Sequence, residues 1–210
     1  MFKTFLPIIA GIAFALNWAA PVTAMDFPSV LDCEELAGSP YDPLIDAGLG
    51  VELDKLNTAD AIATCEAALT DSPDNPRVLF HLGRAHDAAG DFEQAIKYYR
   101  AAVKVGSDLA AVSLAELYEY GFGLDPDVDQ AKRYYQLAFD RSGLPIAAGN
   151  LGYFYDHGIV VEADKTKAAE YYTIASDAGI VWAKVSLGFL YENGQGVEQD
   201  SEMAVALYQQ

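Results

Sequence analysis

Residues 114–135 read LAELYEYGFGLDPDVDQAKRYY, residues 151–172 read LGYFYDHGIVVEADKTKAAEYY, and residues 187–208 read LGFLYENGQGVEQDSEMAVALY. The three segments align without a gap, and their starts are 37 and 36 residues apart. A fixed period in this range predicts a stack of two-helix units, which usually serve as binding surfaces and rarely as active sites. The shared positions are the leucines Leu114, Leu151 and Leu187, then Tyr118, Tyr155 and Tyr191, Gly121, Gly158 and Gly194, Asp127, Asp164 and Asp200, and Ala131, Ala168 and Ala204.

The shared positions suit the packing of paired helices. A small residue follows each leucine and lets two helices approach closely, and the aspartate precedes the second helix, where it can cap free N–H groups. In each Tyr-Tyr pair, one ring is expected inside the stack and its neighbour nearer the rim. The first and third of these segments also carry a second turn glycine, Gly123 and Gly196, where the middle segment has Val160. We therefore expect the turn at Val160 to differ locally.

A shorter unit and a less regular segment precede the three repeats. Residues 76–106 form a unit with thirteen residues from Leu82 to Ala95, against seventeen in the later units. Residues 25–57 are rich in Pro and Gly, with one short helix expected after a Ser29 cap. The predicted organisation is a signal peptide at 1–24, an irregular cap segment at 25–57, tetratricopeptide-like helices at 58–106, and three longer repeats at 107–210, the last one shortened.

The first 24 residues have the pattern of a secretory signal. Lys3 precedes an apolar run from Phe5 to Leu16, and Val22-Thr23-Ala24 offers small residues before a cleavage site. The alternative is an uncleaved anchor, although the run is short and contains Pro7. We expect export to the periplasm or beyond the cell, and no membrane insertion once the signal is cleaved.

The chain has two cysteines, Cys33 and Cys65. In an exported protein such a pair predicts a structural disulfide, with two buried free thiols as the alternative. Closing a loop of about 33 residues would stabilise the fold by about 3–4 kcal/mol if chain entropy dominates.

The charge and motifs exclude several functions. The net charge of −18 argues against nucleic acid and against anionic membrane surfaces, which both attract basic proteins. It leaves a basic partner, or solubility alone, as its purpose. The histidines His81, His86 and His157 do not have metal-ligand spacing, and no P-loop, H-E-x-x-H or G-x-S-x-G motif occurs. We therefore predict no catalytic residues, no metal, no cofactor and no enzymatic activity.

The repeated pattern resembles the Sel-one-like repeat (SLR) family. The resemblance is carried by Ala147, Leu151-Gly152, Tyr155, Gly158, Asp164, Ala168, Tyr171-Tyr172 and Ala175, and by the same positions in the other copies. Residues 76–106 are more similar to a tetratricopeptide repeat (TPR), with Gly90-Asp91-Phe92-Glu93 before Ala95. The resemblance covers residues 59–210 and implies an all-α, right-handed α-solenoid of antiparallel helix pairs. It also implies a scaffold for protein partners, often regulatory in bacterial envelopes.

In such repeats the first helix of each unit lines the concave face. This placement predicts a partner groove that combines aromatic anchors with carboxylates and suits an extended segment carrying a basic and an apolar residue. Two alternatives remain open: the aromatic residues pack between repeats, and the arginines have intramolecular partners. The predicted groove residues are Arg77, Phe80, Arg84, Glu116, Glu119, Tyr120, Tyr153, Asp156, Trp182, Phe189 and Glu192, with Asp87, Val112, His157 and Val185 at the same facings.

We therefore predict an exported adaptor or scaffold that binds protein partners. Some relatives with this repeat have been linked to penicillin binding, so one alternative is a hydrolase or a cell-wall-binding enzyme. No serine has a lysine three residues later, however, so the acylating signature is missing. Another alternative is a structural protein that self-associates through its shortened last repeat.

Overall fold

The protein is described by a computed structural model covering residues 29–42 and 50–209. These residues form ten α-helices and no β-strand, so the predicted all-α class is confirmed. The predicted signal peptide at 1–24 lies outside the described residues. The helices are α1 Val30–Ala37, α2 Thr58–Asp71, α3 Pro76–Ala88, α4 Phe92–Lys104, α5 Asp108–Tyr120, α6 Val128–Ser142, α7 Pro145–His157, α8 Lys165–Asp177, α9 Val181–Asn193 and α10 Ser201–Tyr208.

The helices stack in chain order as an α-solenoid. The closest pairs are α3 with α4, α5 with α6, α7 with α8, and α9 with α10, and each pair packs against the next. The short helix α1 lies against both α2 and α3. A 3₁₀ turn at Leu53–Lys55 also lies against α3. Because each layer is buried mainly by its neighbours, the core is a row of small clusters along the stack.

One tyrosine per unit packs between the paired helices; it is buried in the first three units, and Tyr208 of the last unit is 43% exposed. Tyr172 is fully buried, and its ring lies over Gly152, where an added Cβ would come within 2.7 Å of the ring. Tyr99 packs in the same way over Gly83 in the first unit. The preceding tyrosine of each pair is only half-buried. The expected division of the Tyr-Tyr pairs between stack and rim is therefore what the structure shows.

The repeated aspartate makes two hydrogen bonds that hold the start of each second helix in place. The side chain of Asp164 accepts a hydrogen bond from the N–H of Lys167, 3.0 Å away, and so caps α8. Its own N–H donates to the carbonyl oxygen of Tyr155 in α7, at 2.9 Å. Asp127 and Asp200 make the same two kinds of contact in their units. This double attachment explains why the tyrosine and the aspartate recur together in the sequence.

The turn at Val160 is the same as the glycine turns, and the expectation of a different turn was wrong. Val160 has φ of +49°, in the left-handed region, and Gly123 and Gly196 have φ of +72°. A Cβ at Gly196 would lie 2.2 Å from the carbonyl carbon of Lys165, so that turn requires glycine. Val160 is 40% exposed, and its side chain is accommodated in solvent, although the backbone conformation is unfavourable for a β-branched residue.

We expect Val160→Gly to stabilise the protein by up to about 1 kcal/mol. Left-handed backbone costs a non-glycine residue about 1–2 kcal/mol, from which glycine's greater freedom in the unfolded chain subtracts about 0.5–1 kcal/mol. Gly196→Ala is the matched control and should destabilise, because it adds both the backbone cost and a clash with Lys165. Urea unfolding measures both variants. A lower midpoint for Val160→Gly than for the wild type would contradict this account.

Candidate partner-binding groove

The described residues between α1 and α2 cross the first unit of the face formed by α3, α5, α7 and α9. We call residues 38–42 and 50–56 the N-terminal strap. The guanidinium of Arg84 in α3 holds it by donating to the carbonyl oxygens of Ala37, at 2.7 Å, and Val51, at 2.6 Å. The disulfide between Cys33 and Cys65 joins α1, just before the strap, to α2. The disulfide that the sequence predicted is thus present in the structure.

Three predicted residues are not part of the open groove, because α1, the N-terminal strap and the core occupy them. Arg77 forms ion pairs with Glu34, at 2.6 Å, and with Asp42, at 3.2 Å. Phe80 is buried in the core, and Arg84 is buried by its contacts with the N-terminal segment. Packing and intramolecular partners, the alternatives left open by the sequence, are therefore what the structure shows for these three. The placement was incorrect for Arg77 and Arg84 because α1 and the strap, which bind them, come from outside the repeats, and for Phe80 because its ring packs into the core between helices.

Five of the remaining predicted residues meet around one recess, which we call the central cleft. It has a volume of about 410 Å³ and lies between α5, α7 and α9, with the strap residue Tyr41 at its edge. In the aligned repeat, they lie three, four or seven residues from the position shared by Glu116 and Tyr153, so they share one face of the first helices and meet when those helices stack. The lining residues are Tyr41, Glu116, Glu119, Tyr120, Ile146, Asn150, Tyr153 and Trp182.

Each unit also pairs a carboxylate with the tyrosine of its second helix that packs over the first helix. The carboxylate lies five residues after the repeat leucine, and the tyrosine hydroxyl donates to it. The sequence analysis selected these carboxylates only for their facing and missed the pairing, although both positions recur at fixed offsets in the aligned segments. The pairs are Tyr99 with Asp87 at 3.1 Å, Tyr135 with Glu119 at 2.9 Å, Tyr172 with Asp156 at 3.3 Å and Tyr208 with Glu192 at 3.0 Å.

The carboxylates of α5 make the central cleft strongly acidic. Glu116 is open to solvent at the cleft, yet protein atoms surround it on its other sides. Removal from bulk water, together with the charges of Asp87 and Glu119, raises its pKa to about 7. Partial burial also raises the pKa of Glu119, although the hydrogen bond from Tyr135 opposes this. Near neutral pH, any positive charge that enters the cleft would favour the ionised form of Glu116.

The other end of the face is aromatic and apolar. Trp182 is 38% exposed, with its ring edge-on to Tyr172 at 6.3 Å between centroids and close against Gly149. Phe189 lies two turns further along α9 and is 51% exposed, as is Val185 between them. Tyr153 in α7 is also exposed and contacts the ring of His157. Tyr153, Trp182, Val185 and Phe189 form an exposed apolar strip, which overlaps the central cleft at Tyr153 and Trp182.

The two predicted carboxylates beyond the cleft have protein partners. Asp156 forms an ion pair with Lys165 and accepts from Tyr172, while Glu192 accepts from Tyr208.

His81 is fully buried, and desolvation with the nearby arginines lowers its pKa to about 3, so it is neutral. In the part of the chain that the structure describes, no group of His, Cys, Asp and Glu has the geometry to hold a metal ion. In the same ranges, no helix is long and apolar enough to cross a membrane.

Comparisons with known proteins agree with this architecture. The Sel1 repeat profile matches residues 108–142, 145–180 and 183–210, and a tetratricopeptide repeat profile matches residues 53–118. No curated protein matches the chain. Among solved structures, a Sel1 repeat protein from Oxalobacter formigenes is 27% identical with a TM-score of 0.68, over 87% of this chain and 71% of that one.

Two further solved structures are similar. A protective antigen of uropathogenic Escherichia coli with an SLR fold is 26% identical with a TM-score of 0.63, over 72% of this chain. The match covers only 32% of the antigen, so this chain corresponds to about a third of it. A protein from Pseudomonas aeruginosa is 21% identical with a TM-score of 0.54, over 86% of this chain and 66% of that one, and shows the fold alone.

Proposed function

Because the chain belongs to the Sel1-like repeat family within the tetratricopeptide-like superfamily, we propose that it is an exported adaptor that binds a segment of a partner protein on its concave face. Sel1 and tetratricopeptide repeats suggest a scaffold for protein–protein interaction, and their fold is typically non-catalytic. The finer proposal concerns where and how the partner binds. The proposed binding surface is the central cleft together with the exposed apolar strip of α7 and α9.

The observation that carries the proposal is the meeting of exposed aromatic rings and carboxylates around one cleft. Tyr120, Tyr153 and Trp182 offer large apolar surface with few rotatable bonds, which is typical of residues that dominate binding energy. Glu116 and Glu119 beside them supply charge for orientation and for selecting a basic partner. A partner segment that lies across α5, α7 and α9 would contact both kinds of residue.

The proposed location is the periplasm or the exterior of a bacterial cell. It is supported by the signal-like pattern of residues 1–24 and by the disulfide between Cys33 and Cys65. Disulfides persist in oxidising compartments and are rare in the cytosol. A regulatory role in the bacterial envelope is proposed from the family resemblance.

Replacing Tyr153, Trp182 and Phe189 together with serine should abolish partner capture. Each side chain is exposed on the binding face, and loss of one central aromatic anchor typically costs about 2 kcal/mol or more of binding energy. Three such losses would reduce affinity by a factor of a thousand or more, at about tenfold for each 1.4 kcal/mol. The measurement is crosslinking in intact cells, followed by purification of the protein and quantification of the partner that it retains.

The control variant carries Leu31→Ser and Ile174→Ser, which remove two exposed apolar residues of helices α1 and α8, away from the central cleft. It should retain the partner at wild-type levels. Circular dichroism should show the same helicity for both variants, so that loss of capture is separated from loss of folding. A folded triple-serine variant that still captures the partner would contradict the proposed binding surface.

A further inference from the structure

We propose that the central cleft receives an arginine side chain of the partner, with its guanidinium between the aromatic rings and paired with Glu116 and Glu119. This inference rests on the proposed function, because it names the chemistry of the partner segment that the same surface would bind. It commits to one kind of group, a planar cation. Lysine and neutral side chains become outcomes of the test.

The central cleft has an excess of negative charge, with three carboxylates, Asp87, Glu116 and Glu119, near one cation, Arg84. Among residues 29–42 and 50–209, no basic side chain forms an ion pair with Glu116 or Glu119. Removal from bulk water and the negative charges of Asp87 and Glu119 raise the pKa of Glu116, whereas the charge of Arg84 lowers it. The guanidinium of Arg84 gives its hydrogen bonds to the carbonyl oxygens of Ala37 and Val51 and not to these carboxylates. Asp156, by contrast, already has Lys165. The demand for an external cation is therefore concentrated on the two glutamates of α5.

Aromatic rings line the central cleft beside the carboxylates. Tyr41, Tyr120, Tyr153 and Trp182 surround the same recess, and the face of an aromatic ring attracts a cation. A guanidinium stacks on such rings while its N–H groups remain available in the plane for carboxylates. An ammonium group is more strongly hydrated and cannot make both contacts in this way. The combination of rings and carboxylates in one cleft therefore favours arginine over lysine.

The two glutamates of α5 offer acceptor oxygens on adjacent helical turns. The hydroxyl of Tyr135 donates to Oε2 of Glu119 at 2.9 Å, which fixes this carboxylate and leaves Oε1 for another donor. Glu116 lies one helical turn earlier on α5 and faces the same cleft. Two acceptors on adjacent turns suit the fork of N–H groups that a guanidinium presents.

Binding of a guanidinium should be linked to proton release. Asp87 and Arg84 of α3, Glu119 of α5, Tyr135 of α6 and Tyr41 of the strap all lie around Glu116. The pKa of Glu116 is raised to about 7, so part of the population is protonated at pH 6–7. A bound cation favours the ionised form, so the proton is released and affinity increases as the pH rises from 5.5 to 8.

The test is a titration of the purified protein with acetyl-Ala-Arg-Ala-Phe-amide, followed by calorimetry and by the NMR signal of the Trp182 indole. The citrulline analogue has the same shape without the charge and should bind at least about tenfold more weakly. Glu116→Gln and Glu119→Gln should each weaken arginine binding about tenfold, while Glu170→Gln on the exposed side of α8 should not change it. Affinity should increase about tenfold between pH 5.5 and 8, and this dependence should be lost in Glu116→Gln.

Equal binding of the arginine and citrulline peptides, or wild-type binding by both glutamine variants, would overturn the inference. A lysine peptide that binds as tightly as the arginine peptide would overturn it as well, because the cleft would then select charge alone. In each case, loss of partner capture by the triple-serine variant would still support the proposed function. Conversely, a cleft that binds the arginine peptide while the triple-serine variant keeps its partner would contradict the proposed function, and with it the assignment of the arginine to the partner.

Discussion

Replacing Cys33 and Cys65 together with serine is expected to lower the free energy of unfolding by about 3–4 kcal/mol. The disulfide closes a loop of about 33 residues and restricts the unfolded chain, which is the main source of its stabilisation in the chain-entropy account. Both cysteines are fully buried in the cluster that joins α1, α2 and α3. The serine hydroxyls would enter an apolar environment and add to the loss.

The loss should be confined to the start of the stack. A solenoid is stabilised mainly by contacts between neighbouring units, so units far from a lesion are affected little. Hydrogen exchange in the double-serine variant should therefore be faster in α1, α2 and α3 than in the wild type, and unchanged in α7 and α8. Mass spectrometry of the unreduced wild type should find Cys33 joined to Cys65.

The same variant tests the role of the N-terminal strap. Once α1 is no longer tied to α2, the strap is held mainly by Arg84 and by the ion pairs of Arg77. Wild-type protein treated with a reductant should reproduce the behaviour of the double-serine variant. Identical unfolding of the oxidised wild type and the variant, or two free thiols in the isolated protein, would contradict the structural role of the disulfide.

The features that the sequence predicted correctly are those that depend on a local or repeated pattern of residues. The period of 37 and 36 residues predicted the helix pairs, and the repeated aspartates predicted helix starts that the structure confirms at Asp127, Asp164 and Asp200. Glu116 and Tyr153 occupy the same repeat position, and Trp182 lies two helical turns from that position, so the three share one face and meet at the central cleft. These features could be predicted because each is repeated or lies within one turn of its cause.

The features that were not predicted depend on contacts between distant segments. Arg84 has the facing of a groove residue, yet it is covered by a strap that comes from outside the repeats and has no periodicity. Val160 occupies a position where glycine is expected, but its exposed side chain lets the backbone keep the same turn. For the hydrogen bonds from tyrosine to carboxylate, the sequence shows only that the two residues recur at fixed offsets. The hydrogen bond itself could not be predicted, because it depends on how the two side chains meet across a helix pair.

Tyr172 is the residue at which the fold and the groove are most directly coupled. Its ring is fully buried over Gly152, its hydroxyl donates to Asp156, and Trp182 of the groove rests edge-on against it. Tyr172→Ala should lower the free energy of unfolding by about 3–5 kcal/mol, the usual cost of deleting a buried aromatic ring. Because Trp182 loses its support, this variant should also capture the partner poorly under conditions where it remains folded.

Tyr172→Phe separates the two contributions of this side chain. It keeps the ring and removes only the hydrogen bond to Asp156, which retains its ion pair with Lys165, so the expected loss is about 1 kcal/mol. Trp182 keeps its support, and partner capture should remain close to the wild type. Tyr120→Ala is the control for aromatic deletion at an exposed position and should change stability by less than about 0.5 kcal/mol. If Tyr172→Phe destabilised the protein as much as Tyr172→Ala in urea unfolding, the hydrogen bond rather than ring packing would hold the unit together, contrary to the packing role assigned here.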